Sequence, residues 1–328
     1  MTDRRVVANA LALGLLGIPI FADAQPAQRL AVVGVLTPYP RFGGRNIAFL
    51  IQGLSELGYV DGKNFRFEYR LAAGNPAAFP AFAMELVALK VDVIYAVGPA
   101  AVKAARDATR AIPIVALDLE TDPVQAGWAR SLARPEGNLT GLFLDVPALA
   151  GKWLELLRIA APAIRNVGLL WDSTTGSAQL MAAKSAAQAF GLSAHVMEVR
   201  GREGIEAALL SGMRAGINAI VVLGSPDSSS PAMSKVIADI AANHRLPAIS
   251  SYPGYTKAGG LLSYGPNQEH FQPRTGVLVG KILNGARPGD LAIEMPSKVE
   301  LVINLKTAKA LGITIPQSLL LRADEVIQ

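Results

Sequence analysis

The sequence predicts an α/β fold of two doubly wound parallel-sheet lobes joined by a three-strand hinge. Short, continuously apolar runs alternate with helix-length segments, and this series restarts near the middle of the chain. The 328 residues are enough for two cores of roughly 100–150 residues each. Continuous apolar runs are typical of strands that helices cover on both faces.

The first series lies between residues 30 and 144. Residues 30–36 form a continuous apolar run, which predicts a buried parallel strand, and residues 46–57 place apolar side chains on one helical face before Gly58. Further strands are predicted at residues 65–70, 92–97, 112–117 and 140–144. Helices are predicted at 79–89, after the strand at 92–97 in a segment that includes residues 103 and 108, and at 123–132.

The second series predicts helices at residues 148–160, 178–190, 204–213 and 233–243, alternating with strands at 167–171, 194–199, 219–223 and 247–250. An extended segment (260–264), a helix (272–283), a strand (298–304) and a short helix (306–311) follow. These are too few for a third domain, so we expect the chain to cross back between the lobes. This predicts lobe 1 at 28–143 plus 265–291, lobe 2 at 144–264 plus 292–328, and hinge crossings near Leu144, Ser263 and Ile293.

The N-terminal residues have the pattern of a secretory signal peptide. Arg4 and Arg5 precede an apolar run at 6–21, and Ala22-Asp23-Ala24 forms a small-residue cleavage site. The run is short for a bilayer span, which needs about 20 apolar residues. The absence of cysteine excludes disulfides, cysteine nucleophiles and a lipid-bearing cysteine. We therefore expect residues 1–24 to be removed and the protein to be soluble in the periplasm.

Charge and motifs argue against nucleic-acid binding and catalysis. The net charge is +5, and the basic residues are scattered rather than gathered in a stripe with aromatic residues. The sequence contains no phosphate-binding loop, no dinucleotide fingerprint after the first strand, no G-x-S-x-G elbow and no H-E-x-x-H. His195, His244 and His270 lack metal-ligand spacing. We expect neither an enzyme nor a bound cofactor or metal.

Five long stretches carry a resemblance to a known family. They are GLSELGYVDGKNFRFEYR (53–70), ELVALKVDVIYAVGPAAVKAA (85–105), IPIVALDLETDPVQAGWARSLARPEGNLTG (112–141), GGLLSYGPN (259–267) and ELVINLKTAKALGITIP (300–316). Together they resemble the ABC transporter substrate-binding family that includes tryptophan- and tyrosine-binding proteins. The resemblance implies a type I periplasmic binding fold, no catalysis, and delivery of a small ligand to a membrane permease with its ATPase.

The sequence departs from that family at two places. Phe271-Gln272-Pro273-Arg274 stands where the family usually has two arginines and alanines, and Glu136 stands where it usually has glycine. We expect the first departure to lie near a lobe surface, where it alters permease docking or simply the start of a helix. Neither departure is expected to bear on ligand identity.

Candidate ligand contacts follow the predicted strands, because ligands of open parallel sheets bind at the carboxyl ends of the strands. In lobe 1 these loops offer rings for stacking, a guanidinium for a carboxylate, a helix start with accessible amides, and acids for an amino group. The stacking rings are Tyr39 and Phe42, and the guanidinium is that of Arg41. The helix start is Gly98-Pro99-Ala100, and the acid is Asp118 or Glu120. An exposed loop or a plain strand-to-helix turn is the structural alternative for each.

The corresponding loops of lobe 2 are richer in hydroxyl groups. The candidates are Asp172, Ser173, Ser225, Asp227, Ser251 and Tyr252, with Tyr264 in the hinge. Asp172 is the predicted partner of a ligand amine and Tyr252 a stacking ring. The alternative for Asp172 and Ser173 is capping of the next helix.

The sequence as a whole predicts a monomeric periplasmic binding component of an ABC importer. Its ligand is expected to be an amino acid, an aromatic molecule or another small carboxylate, captured between the lobes as the hinge closes. A ligand-sensing module for a receptor and an exported α/β hydrolase are the alternatives. A sugar-responsive repressor of the same fold is opposed by the signal peptide and the missing DNA-binding headpiece.

Overall fold

The computed structural model describes residues 29–39, 45–73, 75–173, 175–200, 204–225, 228–296 and 298–328. The predicted signal peptide lies outside these ranges. Within them, every helix is too short or too polar to span a bilayer.

The first lobe is built on a five-stranded parallel sheet. Its strands are β1 (Ala31–Thr37), β2 (Phe65–Leu71), β3 (Val93–Val97), β4 (Ile114–Asp118) and β5 (Leu139–Phe143), in the order β2-β1-β3-β4-β5. Val33 pairs with Phe67 on one side and with Val93 on the other. Strands β3, β4 and β5 are buried throughout, as expected for strands that helices cover on both faces.

The lobe 1 sheet is covered by helices on both faces. They are α1 (Arg45–Ser55), α2 (Phe79–Ala88), α3 (Pro99–Ala108) and a helix that returns from the far end of the chain, α10 (Pro273–Leu283). Helices α1 and α10 pack backbone against backbone at Gly53 and Gly276, where an added Cβ would overlap Pro273 and Leu50 respectively. This contact ties the C-terminal part of the chain to lobe 1.

The second lobe carries a seven-stranded sheet in the order β12-β11-β10-β9-β8-β6-β7. The strands are β6 (Asn166–Asp172), β7 (Ser193–Val199), β8 (Ala219–Val222), β9 (Ala248–Ser250), β10 (Leu262–Pro266), β11 (Val299–Asn304) and β12 (Glu325–Ile327). All neighbours are parallel except β10 and β11. The chain leaves lobe 2 at the end of β10 and re-enters from the hinge at β11, so these two strands must run in opposite directions.

The described part of the chain contains eight further α-helices and three short 3-10 helices. The α-helices are α4 (Ala150–Ala160), α5 (Ala178–Ala189), α6 (Ile205–Arg214), α7 (Pro231–Asn243), α8 (Pro253–Lys257), α9 (Gln268–Phe271), α11 (Leu305–Ala310) and α12 (Gln317–Leu320). One core cluster contains buried residues of both lobes, among them Leu144, Val146 and Trp153. Trp153 Nε1 also donates to the carbonyl of Tyr264, 2.7 Å away, which fixes α4 against β10.

Three segments connect the lobes, as predicted. They run from β5 to α4, from β10 through α9 to α10, and from α10 back to β11. The third segment pairs with β5 before it crosses: Phe143 N donates to Glu294 O at 3.0 Å, and Glu294 N donates to Gly141 O at 2.9 Å. Arg274, at the start of α10, and Glu294, in the third segment, form a bidentate ion pair. Arg274 Nη2 donates to Glu294 Oε1 at 2.7 Å, and Nε donates to Oε2 at 2.9 Å.

The helix predicted at 123–132 is wrong, because these residues form turns. Asp122 Oδ1 accepts from the amides of Val124 and Gln125, and the tight turn ends at Gly127, whose φ is +66°. Side-chain hydrogen bonds to nearby amides compete with helix formation in this way. Glu136 has φ of +55°, a left-handed conformation that glycine adopts more readily than glutamate does.

Candidate ligand-binding cleft

A cavity of about 700 Å³ lies between the two lobes. It is lined by the loops that follow β1, β3 and β4 in lobe 1, and β6, β8 and β9 in lobe 2. These are the carboxyl ends of the parallel strands, where open α/β sheets bind ligands. The volume falls within the range of small-molecule sites, about 300–1,000 Å³.

The lobe 1 wall of the cavity is mainly apolar and aromatic. Trp128 is held from two sides, since its ring centroid lies 6.5 Å from that of Phe143 and the Arg106 guanidinium lies 5.4 Å from the Trp128 centroid. Tyr39 is positioned by Asn46, whose Nδ2 donates to the tyrosine hydroxyl at 3.1 Å. The apolar and aromatic residues of this wall are Pro38, Tyr39, Pro76, Phe79, Val97, Pro99, Ala100, Ala101, Leu117, Leu119 and Trp128.

The lobe 2 wall is made mainly of small hydroxyl-bearing residues, glycines and one amide. Ser225 and Ser228 hold each other: the Ser225 amide donates to Ser228 Oγ at 2.9 Å, and the Ser228 amide donates to Ser225 Oγ at 3.0 Å. Ser230 caps α7 by accepting from Met233 N at 3.3 Å. The wall comprises Ser173, Thr175, Gly176, Gln179, Gly224, Ser225, Ser229, Ser230, Pro231 and Tyr252.

Glu120 of lobe 1 and Gln179 of lobe 2 are hydrogen-bonded across the cavity. Gln179 is buried, and its amide is anchored by Gly224, whose N donates to Oε1 at 2.9 Å and whose O accepts from Nε2 at 3.1 Å. The same Nε2 donates to Glu120 Oε1 at 2.7 Å. Gly176 lies directly against Glu120 Oε2, where a Cβ would overlap it. The two lobes are therefore in direct contact at this point.

Burial raises the pKa of Glu120 to about 7, against the lowering effect of the Gln179 hydrogen bond and with a small contribution from nearby Asp118. A ligand cation would stabilise the ionised form of this carboxyl group. Lys103 also lines the cavity, but its side chain is 69% exposed and pairs with Asp107 at 2.6 Å. The buried charge of the described cavity wall is therefore an acid.

Asp118 is placed beneath the cavity wall rather than in it. Its side chain is fully buried, and Oδ1 accepts from the amides of Glu120 at 2.9 Å and Thr121 at 3.1 Å. Asp118 thus shapes the loop that carries Glu120, and burial raises its pKa. Burial also raises the pKa of Tyr252, so the phenol that this residue contributes to the cavity stays neutral.

The cavity brings together part of the set of residues predicted from the sequence. Those that line it are Tyr39, Gly98, Pro99, Ala100, Glu120, Ser173, Ser225 and Tyr252. Asp118, Asp172, Ser251 and Tyr264 do not line it. Arg41, Phe42 and Asp227 lie outside the described residues.

The local structure explains why some of the predicted residues do not line the cavity. Asp172 is 4% exposed at the end of β6, and its carbonyl accepts from the Thr175 hydroxyl at 2.7 Å. Ser251 is 1% exposed and packs behind Gly224. Tyr264 lies in β10, paired with Leu301 of β11. A strand end predicts which loop faces the cleft but not which side chain of the loop turns toward it.

Several cavity residues were not predicted from the sequence. Gln179 lies at the start of α5, after the loop that follows β6, and Trp128 lies in the segment mistaken for a helix. Gln268 and Gln272 come from the second crossing segment. Gln272 is 3% exposed, so the expectation that the Phe271–Arg274 departure lies near a lobe surface is wrong at this residue. Among the described residues, no cluster of three or more His, Cys, Asp or Glu side chains forms a metal-binding set.

Two α/β lobes that enclose a cavity at their strand ends define a two-lobed binding protein. The chain belongs to the family of ABC transporter substrate binding proteins, whose family model matches residues 46–327. This confirms the resemblance found in the sequence. A tyrosine-binding protein of Clostridioides difficile (strain R20291) is 29% identical over 272 residues, which cover 80% of this chain and 74% of the relative.

Solved structures share the fold. The ABC domain from Streptococcus pneumonia in complex with L-Trp is 26% identical, with a TM-score of 0.75 over 91% of this chain and all of that chain. A ligand-free, open substrate binding protein with adhesive properties from Clostridium difficile is 23% identical, with a TM-score of 0.57 and the same coverage. The second of these likenesses supports the fold alone.

Proposed function

We propose that this protein is the exported solute-binding component of an ABC importer and that it captures an aromatic molecule with an amino group, of the aromatic amino acid class. The observation that carries the proposal is a buried acid, Glu120, set in an aromatic wall and bonded across the cleft to Gln179. The closing units are those predicted from the sequence, residues 28–143 with 265–291 and 144–264 with 292–328.

The lobe 1 wall supports an aromatic ligand. Burial of apolar surface contributes roughly 25 cal/mol per Å², and aromatic pairs in offset or edge-to-face contact add about 0.5–1.5 kcal/mol. Tyr39, Phe79 and Trp128 supply three rings to the same wall. A flat ligand that packs there removes apolar surface of both partners from water. The tyrosine-binding relative and the relative solved with L-Trp support the same ligand class.

The polar groups of the cavity match the two charges of an amino acid. Glu120 is the acceptor for the ammonium group. Helix α3 begins at the cavity wall without a side-chain cap, and the amides of Ala100 and Ala101 in its first turn favour a carboxylate. In this proposal a zwitterion is held with its ammonium group on the acid and its carboxylate on helix amides.

Hinge closure is the proposed means of capture. A ligand that touches both walls in the closed state shifts the population of the protein from open to closed. The Glu120–Gln179 bond forms in the closed arrangement and adds to this preference. The permease with its ATPase would then recognise the closed face, and transport rather than chemistry would follow.

The proposal is tested by a thermal-shift screen followed by calorimetric titration with L-tyrosine, L-tryptophan, L-leucine and L-glutamate. We expect the aromatic amino acids to bind, and a ligand at 100 times its Kd to add about 2.7 kcal/mol of stability. Small-angle scattering on the same samples should report compaction with ligand. Tighter binding of L-glutamate than of either aromatic amino acid would contradict the proposal.

A further inference from the structure

The phenol oxygen of Tyr252 is open to the ligand cavity. Tyr252 follows β9 in lobe 2 and lines the cavity, although the residue is only 5% exposed. Its Oη makes no hydrogen bond to any described residue. Unlike the phenol oxygens of Tyr95 and Tyr255, it is not closed to solvent. Because buried polar groups are normally hydrogen-bonded, this hydroxyl group calls for a partner in the cavity.

Tyr252 Oη lies beside the contact between the two lobes. A Cβ added at Gly224 would lie 2.9 Å from Tyr252 Oη and 3.1 Å from Gln179 Oε1, so both oxygens face the same point of the lobe 2 wall. The Gln179 amide in turn donates to Glu120 Oε1 at 2.7 Å. Burial is the main cause of the raised pKa of Tyr252, and the nearby Tyr39 and Glu120 side chains raise it further. The phenol of lobe 2 and the acid of lobe 1 are therefore neighbours in the cleft.

Acceptor oxygens outnumber cations in this part of the cavity wall. Glu120 Oε2 makes no hydrogen bond to a described residue, and it too is not closed to solvent. Tyr39 Oη accepts from Asn46 Nδ2 at 3.1 Å. Lys103 is the only cation among the described residues of the wall, and it is exposed. These surroundings favour a positively charged hydrogen-bond donor.

An ammonium group suits the two open oxygens better than a carboxylate does. It carries three N–H donors, so one can bond to Glu120 Oε2 and another to Tyr252 Oη. A ligand carboxylate would accept from the Tyr252 hydroxyl group, but it would also lie beside the Glu120 carboxylate, and like charges at short range repel. The start of α3 remains the place for the carboxylate of an amino acid.

We propose that Tyr252 accepts a hydrogen bond from the ligand ammonium group, so that this group bridges Glu120 of lobe 1 and Tyr252 of lobe 2. The inference deepens the proposed function and rests on its assignment of Glu120 to the ammonium group. Tyr252 then acts through its hydroxyl group rather than as the stacking ring predicted from the sequence. The ligand class that follows is a primary amine, because a site built around hydrogen bonds rejects an analogue that lacks a donor.

Three pairs of probes vary the number of N–H donors and keep the positive charge. They are L-tyrosine, L-tryptophan and tyramine, each compared with its N,N-dimethyl derivative. A dimethylated ammonium group retains one N–H donor, which the acid takes, so Tyr252 is left without a donor. Tyramine lacks the carboxylate, so its pair separates the ammonium contact from the amino acid assignment.

The test is calorimetric titration of the full chain and two matched variants with these six probes. Tyr252→Phe removes the hydroxyl group and keeps the ring. Tyr255→Phe makes the same replacement at a buried tyrosine of α8 that does not line the cavity. Tyr252→Leu is a second replacement without a hydroxyl group should the phenylalanine variant fold poorly, and circular dichroism melting checks each protein.

We expect Tyr252→Phe to bind the primary amines about tenfold more weakly than the unmodified protein does, and the dimethyl derivatives within about twofold of it. Tyr255→Phe should match the unmodified protein with every probe. The unmodified protein should therefore prefer each primary amine, and Tyr252→Phe should lose about a factor of ten of that preference.

Two results would overturn the inference and leave the proposed function standing. One is an unchanged affinity of Tyr252→Phe for the primary amines. The other is an equal loss for the primary and dimethylated probes, which would place Tyr252 against another part of the ligand. The expected pattern with tyramine, but no binding of either amino acid, would support Tyr252 and overturn the amino acid assignment. If none of the six probes binds, both fail.

Discussion

The two walls of the cleft differ in chemistry although they come from similar lobes. The lobe 1 wall is built of rings and aliphatic side chains around a single buried acid, whereas the lobe 2 wall is built of hydroxyls, glycines and the anchored Gln179 amide. Strands β3 and β4 of lobe 1 bring Val97 and Leu117 to the cavity, and the β8 strand of lobe 2 leads into Gly224-Ser225. We infer that lobe 1 supplies most of the binding free energy and that lobe 2 closes over the ligand and orients it.

The glycines of lobe 2 explain how its wall approaches so closely. At Gly176 an added Cβ would overlap Glu120, and at Gly224 it would lie 2.9 Å from the Tyr252 hydroxyl. Gly176 therefore lets the lobe 2 backbone reach the acid of lobe 1, and Gly224 leaves room for Tyr252 and Gln179 within the lobe 2 wall. We therefore expect the two walls to contribute differently to ligand binding. Substitutions in each wall measure this difference.

The largest expected effect comes from Glu120→Gln. The replacement keeps an oxygen that can accept from Gln179 but removes the negative charge, so the loss reports on the ligand ammonium group. Removing one partner of a buried charge pair costs roughly 2–5 kcal/mol, so we expect the affinity for L-tyrosine to fall about 100-fold. Calorimetric titration measures the change.

Glu136→Gln is the matched control, because Glu136 is exposed in the same lobe and pairs with Arg130 away from the cavity. This control should bind like the unmodified protein. Equal affinities for all three proteins would mean that Glu120 does not meet the ligand amine.

An intermediate loss of affinity is expected for substitutions in the two walls. Removal of a lobe 1 ring should weaken binding more than removal of a lobe 2 hydroxyl. Trp128→Ala removes part of the aromatic wall, and we expect about 30-fold weaker binding. Ser229→Ala removes one hydroxyl of the opposite wall, and we expect about threefold. A titration series with the same ligand compares the two. A larger loss for the serine variant would reverse the proposed roles of the walls.

An effect on affinity smaller than those of Glu120→Gln and Trp128→Ala is expected from a change of pH. Burial raises the pKa of Glu120 to about 7, and a ligand ammonium group binds the ionised form. Protonation therefore competes with binding, so affinity should rise about tenfold between pH 6 and pH 8 and level off above that. Glu120→Gln should remove this dependence. Affinity that falls as pH rises over this window would contradict the role of the acid.

The same raised pKa has the opposite effect on the ligand-free closed protein. The pKa of Glu120 in the folded chain is about 7, whereas the ordinary pKa of a glutamate is 4.5. Between these values the unfolded chain binds fewer protons, so the free energy of unfolding decreases as pH rises. Denaturant titrations of the unmodified protein and Glu120→Gln at several pH values measure the difference.

Much of the fold could be predicted from the sequence because buried parallel strands leave a strong apolar signal. The β3 run and the helix before Gly58 are examples in which local pattern and tertiary burial agree. The segment after Asp122 was mistaken for a helix, because its side-chain-to-amide bonds and Gly127 favour turns over an otherwise helix-compatible composition. The antiparallel pairing of β11 depends on chain crossings that no local pattern records.

The candidate site was predictable at the level of loops but only partly at the level of side chains. Asp118 ends β4 and Glu120 lies two residues further on, and the buried Asp118 carboxylate bonds to the loop amides while Glu120 lines the cavity. Gln179 and Gln272 come from helix starts that the tertiary fold brings to the cleft. Their roles depend on packing between segments far apart in the chain, which periodicity does not reveal.

A crystal structure of the protein with L-tyrosine tests the central claim most directly. We predict that the ligand lies between the lobes, with its ammonium nitrogen about 3 Å from a carboxylate oxygen of Glu120 and its ring packed on Trp128 and Tyr39. A ligand bound outside the cleft, or one that turns its carboxylate rather than its ammonium group toward Glu120, would contradict the account.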